Sequence, residues 1–300
     1  MSLVHAVPAA ESAGAAAPSG SISVPVVLAV LGAAVLHAAW NAIAHGIADR
    51  LVGFTLINLA YTVLGAVVVA FTGLPSAAAW PFVLASAAVH VLYQLALMAS
   101  YHLGQFSQAY PLARGTSPWV VAVVSIAVLD QHLPLPELLG VLVVSVGLLS
   151  LVVVGGRPDR AQLPALAAAF GTGLLIATYT VIDGVGVHRT DVTTYAGWLF
   201  LLQGPALPLV GLATRRRGLL AQLRPSLVTG LTGGAVSLAA YGLVLWAQAR
   251  GALAPIAALR ETSIIFGALI GAVFFHERLG RGRAVASAVV VAGIVLTNMH

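Results

Sequence analysis

Two arginines in apolar surroundings are the residues of this chain best placed to do chemistry. Arg114 and Arg260 each lie inside a segment long and apolar enough to cross a bilayer. An arginine at the centre of a membrane costs roughly 2.5–3.5 kcal/mol on insertion scales, and more by other estimates. A guanidinium presents a planar fork of donors that matches a carboxylate or a phosphoryl group. The pair therefore predicts binding of a negative group, which belongs either to a substrate or to an acid of the protein itself.

The surroundings of the two arginines repeat along the chain. Residues 114–147 match residues 260–293 without a gap, with an arginine, a threonine and a serine at equivalent positions. This spacing indicates that the chain contains two copies of one unit. Each copy buries an arginine at the same place.

Polar and aromatic side chains on shared helical faces predict a cavity near the arginines. Residues three, four or seven positions apart share one face of a helix. The predicted substrate-binding residues are His37, Trp40, Asn41, Tyr93, Tyr110, Arg114, Tyr179, Tyr241 and Arg260. The alternative for these residues is structural: ring packing, hydrogen bonds between helices, and salt bridges between arginines and acids.

Two acids lie well inside apolar segments, and both are candidates to carry a coupled proton. Asp183 stands near the end of its segment, where water or a salt bridge would accommodate it. Glu261 directly follows Arg260, whereas Gly115 follows Arg114. The first half therefore supplies no acid for its own arginine. We expect Arg114 to be the less neutralised arginine and the one that meets the negative group of a substrate.

The composition identifies the elements that must hold these residues. Of 300 residues, 60% are hydrophobic and 8% are charged, whereas about 25% of the residues of a soluble domain are charged. An integral membrane protein with many spans is predicted. Cysteine is absent, and the arginines are scattered over short loops, so neither thiol chemistry nor a nucleic-acid partner is predicted. The sequence has no P-loop, metal cluster or nucleophile elbow, so no enzyme, metal or cofactor is expected.

Ten apolar segments have roughly the 20 residues that a spanning helix needs. Backbone groups in lipid must be satisfied within the chain, which favours helices. The predicted fold class is therefore an all-α integral membrane protein with ten transmembrane helices. The segments are Val26–Ala44, Val52–Phe71, Pro81–Tyr101, Ser107–Leu129, Pro136–Val154, Leu163–Val187, Thr193–Ala213, Ser226–Ala249, Leu253–Phe275 and Ala284–Asn298.

The repeat divides these segments into two sets. Residues 1–24 are rich in Ala, Ser, Gly and Pro and are predicted to be a disordered tail. Residues 25–155 and 163–298 are predicted to be two five-helix repeats. An odd number of helices per repeat gives the copies inverted topology. Ten arginines fall in connections on one side and two on the other, which predicts that both termini lie outside the cytoplasm.

Several motifs resemble the EamA branch of the drug/metabolite transporter superfamily over about residues 25–298. The resemblance rests on the arginine motifs 114–118 and 260–263 and on two corners similar to the family's "G-E-R-L" pattern. The corner 276–279 matches well, whereas the corner 130–133 has Gln131 and His132 in place of Glu and Arg. The resemblance implies secondary transport of small metabolites, often export, through a central cavity between the halves.

These observations lead us to expect a secondary transporter with alternating access in a bacterial cytoplasmic membrane. Helices 1, 3, 4, 6, 8 and 9 are expected to form the site. The substrate is expected to be small and polar, anionic or zwitterionic and amino-acid-like, with a proton as the coupled ion. Either a monomer or a homodimer is compatible with the sequence. The alternative is a lipid flippase or lipid-handling protein, which needs a lateral opening to the bilayer.

Overall fold

The computed structural model describes residues 23–103, 106–154, 159–274 and 280–297. These residues form α-helices joined by short turns, and no β-strand occurs among them. The helices are α1 (Val24–His45), α2 (Arg50–Thr72), α3 (Trp80–Leu103), α4 (Phe106–Ala127), α5 (Leu135–Val154), α6 (Leu163–Gly186), α7 (Val192–Gln203), α8 (Ala206–Arg215), α9 (Leu219–Leu223), α10 (Leu227–Gln248), α11 (Leu253–Arg260), α12 (Ser263–Phe274) and α13 (Arg281–Thr297).

Seven stretches of the described chain are long and apolar enough to cross a membrane, so the chain is an integral multi-pass membrane protein. They comprise α1, α2, α3, α5, α6, α7 with α8, and α9 with α10. The helices that carry the two buried arginines are not in this set. α4 holds polar residues that lower its hydropathy, and α11 and α12 are each short. α13 is an apolar helix below the length criterion.

The predicted segments coincide with helices, but two of them are interrupted. The segment Thr193–Ala213 consists of α7 and α8, which are separated at Gly204 and Pro205. Proline lacks the N–H that would continue the ladder. The segment Leu253–Phe275 consists of α11 and α12, separated at residues 261–262. Residues 1–22 of the predicted tail and the corner 276–279 lie outside the described residues.

Helices from the two halves of the chain pack against each other. α1 packs on α10, α3 on α6, α5 on α13, and α2 on both α7 and α10. α4 contacts α6 and α11 of the second half as well as α5. The largest group of buried apolar side chains joins α4, α5, α6, α11 and α13. A charged residue on α4 is therefore surrounded by helices of both halves.

Glycines allow the closest of these crossings. A Cβ atom added to Gly234 of α10 would lie 2.7 Å from the carbonyl oxygen of Ile57 on α2. A Cβ atom on Gly140 of α5 would lie 2.6 Å from the carbonyl oxygen of Gly293 on α13. Backbones that approach this closely gain dispersion contacts, a main source of helix association in lipid.

Candidate functional site

A central cavity lies where six helices from both halves meet. It leaves about 60 Å³ for the centres of water molecules, which is room for roughly four to six waters. α1, α2 and α3 contribute from the first half, and α6, α7 and α10 from the second. The lining residues are His37, Trp40, Phe54, Ile57, Tyr61, His90, Tyr93, Gln94, Tyr179, Phe200, Gln203, Ser237 and Tyr241.

Tyr179 is at the centre of the aromatic part of this wall. Its ring stacks on His90 with a centroid separation of 4.0 Å. It meets Tyr93 and Tyr241 edge to face at 5.5 and 5.8 Å. Aromatic pairs in these arrangements stabilise each other beyond simple burial. The rings of α3, α6 and α10 therefore hold one another in fixed positions around the cavity.

Neutral hydrogen-bonding groups form another part of the wall. The Asn58 side-chain nitrogen donates to Gln94 at 2.6 Å, and Gln94 donates to Gln203 at 3.3 Å. This chain of amides joins α2, α3 and α7. The hydroxyl groups of Tyr61 and Ser237 bond at 2.6 Å and join α2 to α10. Amide and hydroxyl groups at the wall can bind the polar groups of a small ligand.

Two side chains of the polar face predicted on α1 line the cavity, and the third bonds to the backbone of its own helix. Trp40 donates its indole N–H to Nδ1 of His37 at 3.2 Å, and both side chains line the cavity. Asn41 donates to the backbone carbonyl of His37 at 2.8 Å and is not part of the lining. Its amide group therefore satisfies the helix on which it lies.

Asp183 on α6 is fully buried and bonded to tyrosines. Its side chain is 0% exposed, so the expectation of a hydrated carboxylate is wrong. One oxygen accepts from Tyr195 at 2.7 Å, and the other accepts from Tyr241. No described cation lies within ion-pair distance of it, so the expected salt bridge is also absent from the described part of the chain. Because Tyr241 lines the cavity, one hydrogen bond separates the carboxylate from it.

The two buried arginines lie around one glutamate. Arg114 Nε is 2.8 Å from an oxygen of Glu261, an ion pair without hydrogen-bond alignment. Arg114 also donates to Ser263 at 3.1 Å. Arg260 Nε is 3.9 Å from the other oxygen of Glu261. The three side chains are at most 4% exposed. These three residues, which we call the arginine triad, connect α4 to the interruption between α11 and α12.

This geometry reverses the expected order of the arginines. We expected Arg114 to be the less neutralised because its own half lacks an acid. The structure pairs it with Glu261 of the other half, since α4 packs against α11. Nε and Nη2 of Arg260 are instead buried without a hydrogen-bond partner. Adjacent helical residues point about 100° apart, which explains why Glu261 does not reach across to Arg260.

The structure brings five of the predicted site residues to the cavity wall and places four outside it. His37, Trp40, Tyr93, Tyr179 and Tyr241 line the cavity. Asn41, Tyr110, Arg114 and Arg260 do not, and Tyr110 bonds to Ser263 beside the arginines. The helices of the arginines, the fourth and ninth predicted segments, were expected to line the site. α2 and α7 line it in their place, because the arginine helices pack beside the cavity.

Several lining residues were not predicted. His90 lies three positions before Tyr93, and Tyr61 lies three positions after Asn58, so each pair shares a helical face. The rule that selected His37 and Trp40 would have found both pairs. Gln203 carries no such signal, because it stands at the end of α7 without a polar residue on the preceding turn. Its role in the cavity wall is recognised only from the hydrogen bond that Gln203 accepts from Gln94 in the structure.

A second cavity, which we call the side groove, lies between α2, α7 and α10. It leaves about 290 Å³ for the centres of water molecules, and its walls are mainly apolar. Phe200 lines both the side groove and the central cavity. Gly242 opens into the groove, since an added Cβ would meet nothing within 4 Å. No acid or base lines it, so a charged lipid headgroup would find no partner there.

No group of three or more histidine, aspartate or glutamate side chains that could hold a metal occurs in the described part of the chain. Part of the chain matches the sequence model of a known protein family. The model of the EamA-like transporter family matches residues 163–299, the half that contains Asp183, Tyr241 and Glu261. The match covers 137 of the 300 residues, and this part of the chain is similar to the EamA-like transporter family. The motif resemblance is thereby confirmed.

The structural comparison covers most of the chain. A solved crystal structure matches with a TM-score of 0.71 over 92% of this chain and 98% of its own. The two sequences are 16% identical, so the match shows a shared helical fold and nothing about substrate. None of the curated proteins matches the chain. The similarity to the EamA-like family supports a membrane transporter in general terms.

Proposed function

We propose that the chain is a secondary transporter that exports a small anionic or zwitterionic, amino-acid-like metabolite by alternating access. The observation that carries the proposal is the central cavity, which side chains of both halves enclose. A site between two halves can open to either side of a membrane when one half rocks against the other. The family similarity supports transport, and the cavity between the halves supports a substrate site there.

The packing of the helices supports ten spans in two inverted repeats. If the halves are exchanged, the contact of α1 with α10 becomes that of α6 with α3, and both contacts are present. The contacts of α2 with α7 and of α5 with α13 map onto themselves when α7 and α8 count as one span. α11 with α12 then forms the ninth span, equivalent to α4. This exchange symmetry is the pattern expected for an inverted repeat.

The size of the cavity supports alternating access rather than an open pore. Space for roughly four to six waters is too little for an amino acid and its hydration shell. The substrate therefore enters only when the halves separate. Aromatic rings and amides would then contact its body, and the arginine triad beside the cavity would attract its negative group. Asp183 provides a site for a coupled proton.

A transport assay with two matched variants of α10 tests this function. Thermal unfolding of the purified protein is first screened against amino acids and organic acids, because a bound ligand stabilises the folded state. The stabilising compound is then loaded into proteoliposomes for counterflow with labelled compound. Ser237→Leu fills the small cavity and should abolish counterflow. Gly242→Leu adds a side chain of the same size to the side groove and should leave counterflow within about twofold of wild type.

The reverse result would contradict the proposal. If Gly242→Leu blocks transport and Ser237→Leu does not, the substrate passes along the groove between α2, α7 and α10. That outcome would favour the lipid-handling alternative. Gel filtration of both variants establishes that the comparison is made between folded proteins.

The orientation follows from the arginines of the connections. Ten of them lie on the side opposite the termini and two on the same side. The positive-inside rule then puts both termini outside the cytoplasm. A reporter that fluoresces only in the cytoplasm, fused after His300, should be dark, whereas the same reporter inserted at Gly218 should be bright. A bright C-terminal fusion would contradict this orientation.

A further inference from the structure

The second half of the chain contains a buried arginine, Arg260, with two donor nitrogens that have no hydrogen-bond partner. We infer that Arg260 forms a subsite for one small monovalent anion, the carboxylate of the transported substrate. The inference rests on the proposed transport function and assigns the anion-binding role to one arginine of the pair. It differs from the expectation drawn from the sequence, which chose Arg114.

The first observation is the state of the Arg260 side chain. It is 3% exposed, and Nε and Nη2 have no hydrogen-bond partner. Buried donors are almost always paired, because an unpaired polar group forfeits its hydration without replacement. An unpaired guanidinium is the most costly example. A bound carboxylate would accept from the Nε and Nη2 edge in the parallel, bidentate geometry that arginine favours.

The second observation is the balance of charge around the triad. Arg114 and Arg260 contribute two positive charges, and Glu261 contributes one negative charge. Among the described residues, Glu261 is the only acid within 4.0 Å of either arginine. Asp183 is hydrogen-bonded to Tyr195 and Tyr241 and lies outside ion-pair distance of both arginines. One positive charge of the pair therefore has no counter-ion of its own within 4.0 Å, and a monovalent anion would supply one.

Glu261 is committed to the other arginine. It lies 2.8 Å from Arg114, which Ser263 also fixes, and 3.9 Å from Arg260. Arg260 is the last residue of α11, where the helix dipole favours a cation. This field eases the burial of the charge but gives Nε and Nη2 no acceptor. The hydrogen-bonding capacity of Arg260 thus stays available to a ligand.

The subsite lies beside the central cavity. Arg260 is within electrostatic range of His37 and Tyr179, two residues of the cavity wall. A substrate with its body against these rings would extend a carboxylate toward Arg260 when the halves separate. The same arrangement predicts that amides or decarboxylated analogues of the substrate bind more weakly.

The test measures the thermal unfolding of the purified full chain in sodium acetate or sodium chloride at equal ionic strength. Acetate represents a minimal carboxylate, and chloride is the monovalent control that lacks a carboxylate. In the wild type, acetate should raise the midpoint by roughly 3–5 °C for a tenfold excess over its dissociation constant. Arg260→Gln should lose this rise. Arg250→Gln removes an exposed arginine that stacks on Trp246 and should keep it.

Arg260→Gln should fold, because it removes an unpaired charge. Should it fail to fold, Arg260→Lys provides the comparison, with the acetate affinity expected to fall about tenfold because a lysine cannot form the bidentate pair. Equal acetate shifts in wild type and Arg260→Gln, or no shift in the wild type, would overturn the subsite. A chloride shift as large as that of acetate would overturn the carboxylate assignment. Failure of the counterflow assay with the acetate effect intact would count against transport alone.

Discussion

Arg114→Gln should destabilise the protein more than the neutralisation of any other arginine in the described chain. The substitution leaves Glu261 buried, at 0% exposure, without its close cationic partner. Breaking a buried ion pair on one side costs about 3–5 kcal/mol, because the remaining charge has lost its hydration and its counter-ion. The midpoint of thermal unfolding in detergent should fall by roughly 10 °C.

An exposed pair in the same protein is the matched control. Arg215 contacts Asp49 at 2.9 Å, but both side chains are 38% exposed. Exposed pairs contribute about 0.2–1 kcal/mol, since water screens them. Arg215→Gln should therefore leave the midpoint nearly unchanged. A loss as small for Arg114→Gln as for Arg215→Gln would show that the buried pair does not stabilise the fold.

The other members of the triad make the prediction more specific. The double variant Arg114→Gln with Glu261→Gln removes both charges of the pair and should recover much of the loss. Arg260→Gln alone should cost little or raise the midpoint, because Arg260 has no close partner in the structure. If Arg260→Gln is the more damaging of the two arginine variants, Arg260 has the paired role that we assign to Arg114.

The sequence was enough to predict that both arginines are buried, but not to predict which of them pairs with Glu261. The repeat 114–147 and 260–293 identified both arginines and their burial, because an arginine in an apolar segment is conspicuous on its own. Pairing depends on which helices meet, and that is a property of the packed structure. Gly115 and Glu261 suggested that Glu261 neutralises Arg260 of its own half and that Arg114 has no acid. Because α4 packs against α11, Glu261 instead pairs with Arg114 of the first half.

The positions of the helices were predictable for a simpler reason. Long apolar runs have one stable conformation in lipid, so hydropathy alone located them. The interruptions were less visible. Pro205 could have indicated the division between α7 and α8, but no proline or glycine stands at residues 261–262, between α11 and α12. Lining residues were predicted at His37 and Trp40, where polar residues share a face. The same rule would have found His90 and Tyr61, whereas Gln203 stands alone and gave no signal.

Asp183→Asn should uncouple transport from the proton gradient. The carboxylate is fully buried, and no described cation within ion-pair distance balances its charge. The hydroxyl groups of Tyr195 and Tyr241 bond to both of its oxygens. A hydroxyl group can either donate or accept a hydrogen bond, so these two partners suit either form of the carboxyl group.

Asparagine has nearly the same shape as aspartate but cannot take up or release a proton. Proteoliposomes with an imposed pH gradient should accumulate the substrate of the wild type against its concentration gradient. Asp183→Asn should lower this accumulation at least tenfold while counterflow, which needs no net proton movement, continues. Asp191→Asn changes a carboxylate that only caps α7 by accepting from two backbone N–H groups, and it should leave both activities intact.

The position of Tyr241 explains why the effect should reach the substrate. Tyr241 lines the cavity and bonds to Asp183, so a change in the charge of the carboxylate alters a hydroxyl group that faces the substrate. Tyr241→Phe keeps the acid but removes this connection, and it should weaken coupling without abolishing proton uptake. If Asp183→Asn still accumulates substrate in response to the pH gradient, the carboxylate is a structural acceptor for Tyr195 and Tyr241. The coupled proton would then have to bind elsewhere, with His90 on the cavity wall as the next group to test.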